Sequence, residues 1–110
     1  MAYDEKIAER VRKLLSGRGD VIERKLMGGL SFMVAGNMVC SVSGRGGLLI
    51  RVGDEARDKL LEDPHVQPMK MGARTMAGFV RVDPEGYRSD RALKKWLQRG
   101  LDLVATLPAK

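Results

Sequence analysis

Apolar positions recur with a helical period at the two ends of the chain and with a strand-like period between them. Ile7, Val11, Leu14 and Leu15 fall at i, i+4, i+7 and i+8, so residues 4–16 are expected to form an amphipathic helix. Glu5, Lys6, Glu9, Arg10, Arg12 and Lys13 cover its other side, and Glu9 precedes Lys13 by four residues in the favourable order. Asp4 is placed to cap the start and Gly17 to end the helix in a left-handed conformation. At the far end Leu93, Trp96, Leu97, Leu101, Val104 and Leu107 fall at i, i+3, i+4, i+8, i+11 and i+14. They predict a long helix, capped by Ser89 and ended by Pro108. Gly100 lies on that stripe. A glycine inside a helix costs about 1 kcal/mol against alanine, so a close contact with a strand or another helix is expected to offset it.

The centre reads as sheet. Residues 21–27 predict a first strand, closed by Gly28-Gly29. Residues 30–35 and 38–43 flank Gly36-Asn37, whose glycine-first order predicts a type II′ hairpin with Val34 opposite Val39 and Met33 opposite Cys40. Leu30, Phe32, Val34 and Val39 then share one face, and Met33, Ala35, Met38, Cys40 and Val42 the other. A hairpin apolar on both faces is expected to be covered on both, by helices or by a second subunit. Gly44-Arg45-Gly46-Gly47 leads into residues 48–52, where Leu48, Ile50 and Val52 point one way. A second helix is expected after Gly53, with Asp54 as N-cap, Ala56, Leu60 and Leu61 as its apolar side, and Asp63-Pro64 as its stop. Residues 65–77, punctuated by Pro68 and Gly72, suggest a short strand, a turn and a return. Residues 78–83 predict a strand with Val80 and Val82 opposite Phe79 and Arg81, followed by a turn at Pro84-Glu85-Gly86. The succession predicts an α+β fold: a mostly antiparallel central sheet of about five to six strands flanked by N-terminal, middle and long C-terminal helices.

Composition narrows the class. A chain of 110 residues fits one domain, residues 1–110, and 44% hydrophobic with 31% charged residues are globular proportions. Cys40 is the single cysteine, which excludes an internal disulfide and favours a reducing compartment. The N-terminus is charged at once, and no apolar stretch approaches the roughly 20 residues of a membrane span. The expected location is therefore the cytoplasm, with no membrane partner. A net charge of +6 favours anionic partners without fixing a function.

Catalytic chemistry lacks its residues. The chain has one histidine, His65, and one cysteine, Cys40, so zinc and iron–sulfur sites lack their usual ligands; no metal or other cofactor is expected, and Asp54, Glu55 and Asp58 read as the acidic start of a helix. Cys40 sits mid-strand among apolar neighbours and His65 in a loop, so they are not expected to meet as nucleophile and base. The glycine loop at residues 44–47 lacks the Gly-Lys-Ser/Thr ending of a phosphate loop and enters a strand, where a helix is required. No enzyme is expected. Arg91, Lys95 and Arg99 repeat at i+4 on the last helix, with Arg88 and Lys94 beside them and only Asp90 against. These five cations are the candidate nucleic-acid contact; the competing reading is an ordinary solvated face. Phe32, Phe79 and Trp96 read as core, leaving no aromatic platform for bases. Of seven methionines, Met33 and Met38 read as core filling, whereas Met69, Met71 and Met76 are the candidate partner or dimer surface.

Several segments stand in a familiar order. Glu23-Arg24-Lys25-Leu26-Met27-Gly28-Gly29-Leu30-Ser31-Phe32-Met33-Val34, then Gly36-Asn37-Met38, then Leu49-Ile50-Arg51-Val52-Gly53 resemble the N-terminal domain of the TfoX (Sxy) family. Pro68-Met69, Arg74, Met76, Gly78-Phe79-Val80, Val82-Asp83-Pro84-Glu85-Gly86 and the long final helix continue the resemblance over nearly the whole chain. The family's pattern has Phe where Met27 stands, Gly-Arg-Pro-Met where Ala73-Arg74-Thr75-Met76 stands, and often Trp where Phe79 stands. The resemblance implies an α+β domain, and a single-domain member, since the longer members that regulate competence genes carry a second domain. It supplies no catalytic residues. The expected function is a non-enzymatic regulatory module that contacts a protein partner, with a homodimer as one form of that contact. The alternatives are a direct nucleic-acid binder using the last helix, and a small-ligand binder or enzyme with an unrecognised pocket.

Overall fold

The computed structural model describes residues 3–26, 28–44, 46–71 and 74–109, with side chains for all of these except 70, 71 and 74–77. Asp4 opens the first helix, α1 (Glu5–Leu14), its Oδ1 accepting from the backbone N–H groups of Lys6 and Ile7 at 2.9 and 3.4 Å. Leu15, rather than Gly17, holds the C-cap, and Ser16 Oγ donates to the Lys13 carbonyl at 2.8 Å, so the last turn is closed before the glycine.

Six strands follow: β1 (Val21–Leu26), β2 (Gly29–Val34), β3 (Asn37–Val42), β4 (Leu48–Arg51), β5 (Val66–Met71) and β6 (Arg74–Val82). They form one sheet in the order β1-β2-β3-β4-β6-β5, and every neighbouring pair is antiparallel. Helix α2 (Asp54–Leu60) carries the chain from β4 to the far edge; a 3-10 turn (Pro84–Tyr87) then leads into the last helix, α3 (Asp90–Val104). The fold is α+β, as the order of elements predicts.

Strand alternation sorts two cores. Leu30, Phe32, Val42, Leu48, Ile50, Val80 and Val82 are buried on one face with Ala8, Val11 and Leu15 of the N-terminal region and Leu93, Leu97 and Val104 of α3. Leu60 and Leu61, at the end of α2, pack half-buried against the same cluster. On the other face Met38, Leu49, Met69 and Phe79 are buried, with Met33 packed beside them. Ser31 and Ser41 are buried at neighbouring cross-strand positions, where Ser31 Oγ donates to Ser41 Oγ at 3.1 Å and Ser41 Oγ to the Leu30 carbonyl at 3.3 Å. Both faces of the β2–β3 hairpin are thus covered within one copy of the chain.

The hairpin turn lies one residue earlier than Gly36-Asn37. Ala35 and Gly36 occupy it with φ of 53° and 82°, a type I′ arrangement, and Val34 pairs with Asn37. Asn37 opens β3, and its Nδ2 donates to the Pro108 carbonyl at 3.0 Å. The register then shifts: Met33 faces Met38 and Phe32 faces Cys40, so neither the expected Val34–Val39 nor the Met33–Cys40 pair forms. This bulge moves Cys40 and Val42 to the face of Leu30 and Phe32, and leaves Val39 as the extra residue.

Val39 is what α3 rests on. A Cβ added to Gly100 would stand 2.8 Å from both the carbonyl oxygen and Cγ1 of Val39, so helix and strand backbones meet here. Ser89 caps α3 through its Oγ, which accepts from the Ala92 N–H at 3.1 Å, and the helix ends at Val104, ahead of Pro108. Helix α2 differs from expectation: Gly53, at φ 84°, is the N-cap and Asp54 is the first helical residue. The Gly78 carbonyl fixes that start by accepting from the N–H groups of Val52 and Gly53 at 2.8 and 3.0 Å.

Candidate macromolecular interface

The outer face of α3 is built around an arginine from α1. Arg10 Nε donates to Asp90 Oδ1 at 3.2 Å, and Nη2 donates to the carbonyls of Tyr87 and Arg88 at 2.9 and 3.1 Å. Asp90, the one acid set against the basic face, is thereby neutralised from the side. Arg88, Arg91, Lys94, Lys95 and Arg99 are all exposed, and none forms an ion pair among the described residues. Lys95 and Arg99 border a groove of about 250 Å³ with Leu60, Asp63 and Trp96, and the Arg99 guanidinium lies 5.9 Å from the Trp96 ring centre. Trp96 is half-buried and its Nε1 donates to the Gly86 carbonyl at 3.1 Å, so its ring braces the helix and is not free to stack on a base. What the face offers is an excess of positive charge on a rigid element.

The candidate methionine surface divides. Met69 is 4% exposed and packs with Met38, Leu49 and Phe79. The side chains of Met71 and Met76 lie outside the described residues.

A second surface, not visible in the sequence, is the β1 edge. Among the described residues β1 pairs only with β2, and Ile22 and Leu26 are the exposed large hydrophobics, at 60% and 39%. Arg12 holds the strand against α1 through a bidentate pair, Nε to Glu23 Oε2 at 2.7 Å and Nη2 to Oε1 at 2.8 Å, while its Nη1 reaches Glu9 at 2.7 Å. Hydrogen bonding from Arg12 keeps the Glu23 carboxyl below its ordinary value.

Arg51 borders a surface hollow. Its guanidinium lies 4.9 Å from the Phe79 ring centre, and its Nε is buried with no acceptor among the described residues. Burial lowers its pKa from the ordinary value. Beside it is an open hollow of about 360 Å³ lined by Gly53, Asp54, Gly78, Leu103 and Leu107. Cys40, by contrast, is fully buried and its thiol is pushed up to about 12 by desolvation. Two strands, β4 and β6, stand between its strand and β5, which His65 precedes; at about 4.8 Å per strand the two elements are too far apart for a nucleophile–base pair. Among the described residues no three His, Cys, Asp or Glu side chains are grouped to hold a metal ion.

An all-antiparallel sheet with its terminal helices on one face, a basic helix surface and, among the described residues, an unpaired β1 edge define an α+β module. The TfoX N-terminal domain family matches residues 13–103, and the chain belongs to that family. It is not a known enzymatic family. Neither a curated protein nor a solved structure matches the chain. Among the described residues no helix is long and apolar enough to cross a membrane.

Proposed function

We propose that residues 1–110 act as one non-enzymatic regulatory domain of the cytoplasm, which takes part in transcriptional regulation of competence-type genes by contacting another protein molecule. The supporting observation is the β1 edge: a six-residue strand with an unpaired side and two exposed apolar side chains, Ile22 and Leu26. A free strand edge recruits partners through main-chain hydrogen bonds, with alternate side chains giving selectivity. Deleting the gene is expected to change transcript levels of competence-type genes. An Ile22→Glu variant should fail to restore them while keeping the wild-type melting temperature, since that side chain packs little in the fold. Unchanged transcripts, or full restoration by the variant, would overturn the reading.

Direct contact with nucleic acid is the second reading, favoured by Arg91, Lys94, Lys95 and Arg99 on α3 and Arg88 just before it, all exposed and without an ion pair among the described residues. It expects duplex DNA binding that weakens steeply with salt, log affinity falling against log salt with a slope of about one per phosphate neutralised. An Arg91/Lys95/Arg99→Glu variant should lose that binding in a fluorescence anisotropy titration at low salt. Equal binding by the variant would return the face to solvent.

A further inference from the structure

The two edges of the sheet are built differently. β5 carries Pro68, which has no N–H to donate, and its ladder with β6 shifts register between Pro68 and Lys70. Such an edge discourages pairing. β1 has neither proline nor a register shift along its six residues, and all but Val21 are exposed. Its only concession is the charged run Glu23-Arg24-Lys25.

That run is self-complementary. Leu26 and Gly29 close a two-residue connection, and such connections close on a hydrogen-bonded pair. Pairs alternate from there, so Leu26, Arg24 and Ile22 turn their backbone groups toward β2, while Lys25, Glu23 and Val21 turn theirs outward. Side chains sort the same way. Glu23 and Lys25 share the face on which Arg12 meets Glu23, whereas Ile22, Arg24 and Leu26 share the face of Met33 and Ser31.

An antiparallel second copy, related by a twofold axis through the sheet, must match outward-facing residues with one another and keep each face continuous. Three registers centred within the run satisfy this. The register centred on Glu23 opposes two glutamates, and the one centred on Lys25 opposes two lysines. Centred on Arg24, each Glu23 faces Lys25 of the second copy and each Ile22 faces its Leu26, with one Arg24–Arg24 pair between them. Opposite-charge and apolar cross-strand pairs are each stabilising, and four of them outweigh one pair of long, solvated arginines. The register also covers the exposed apolar side chains that the monomer leaves open.

We infer that β1 is a homodimer interface, in which two copies join edge to edge with Glu23 opposite Lys25 and Ile22 opposite Leu26, fusing their sheets into one. This rests on the protein-interaction reading and names its partner as a second copy of the chain.

Sedimentation velocity over a wide concentration range tests it. The wild type should show a concentration-dependent dimer. Glu23→Lys and Lys25→Glu, each of which opposes like charges at both sites, should weaken self-association by about a hundredfold, close to 2.7 kcal/mol. An equimolar mixture of the two variants sets opposite charges across the edge again and should recover a dimer. Far-UV circular dichroism and melting temperature establish that both variants fold, and the mixture works only if they do. A wild type that stays monomeric, variants that dimerise as the wild type does, or a mixture that stays monomeric would each overturn the inference. A monomer whose Ile22→Glu variant still fails to restore transcripts removes the homodimer and keeps the regulatory reading; a dimer with unchanged transcripts does the reverse.

Discussion

Gly100→Ala is expected to lower the melting temperature, although the same change in an open helix interior raises it. Helix propensity alone favours alanine by about 1 kcal/mol. Against that, the new methyl would stand 2.8 Å from the Val39 carbonyl oxygen and equally close to Val39 Cγ1. The side chain can rotate only within a packed core, and the carbonyl belongs to a strand bonded on both sides. Relief must come from lifting α3 off β3, which loosens the packing of Leu97 and Val104 as well. Overpacking of this kind costs about 1–3 kcal/mol, and lifting a whole helix belongs at the upper end, so the net loss is about 1–2 kcal/mol. For a domain of this size the corresponding fall in melting temperature is roughly 4–9 °C. Gly17→Ala is the control: nothing lies within 4 Å of its added Cβ, and its melting temperature should hold or rise. Differential scanning calorimetry on the pair gives the comparison, and a rise for Gly100→Ala would mean that α3 does not rest on Val39.

Gly100 shows what was legible in the chain. A helix-interior glycine on an apolar stripe needs a compensating contact, and that inference uses only local costs. The stripes of α1 and α3, their Asp4 and Ser89 caps, and the alternation through Val80 and Val82 are local in the same sense. The β2–β3 turn was not legible, because Ala35 adopts a positive φ that L residues rarely take. The turn is followed by Asn37, whose bond to the Pro108 carbonyl spans 71 positions of sequence. The bulge at Val39 redistributes Cys40 and Val42 between faces. The basic face of α3 could be read at i+4 spacing, but its sharpening by Arg10, which takes Asp90 out of play, is a contact between the two ends of the chain. The β1 edge was hidden for a related reason: nothing local says which strand ends a sheet. Its run of three charged residues is an edge signature only once the strand order is known. Met69 illustrates the converse, since a Gly- and Pro-punctuated segment suggested exposure and the β5–β6 ladder buries it.

The largest chemical contrast is expected at Cys40. Desolvation carries its thiol from an ordinary 9.0 to about 12, and it has no exposed surface. At a given pH below 9 the native thiolate is therefore about a thousandfold scarcer than in the unfolded chain. Iodoacetamide at pH 8 should label the denatured protein at least about a thousandfold faster than the native one, because burial adds to the scarcity of thiolate. The same group makes stability depend on pH in a definite direction. Below pH 9 both states hold the proton and the contribution is intact. Between 9 and about 12 the unfolded chain releases the proton while the folded chain keeps it, so stability falls as pH rises, by about 1.4 kcal/mol per pH unit. The informative quantity is the difference between wild type and Cys40→Ala, which shares every other group. Urea unfolding should find the wild type more stable at neutral pH, where its side chain fills the core without ionising. That advantage should shrink above pH 9 and then reverse. Parallel curves for the two proteins, or fast native labelling at pH 8, would place the thiol at the surface and reopen Cys40 as a reactive group; convergence would fix it as a small core hydrophobe.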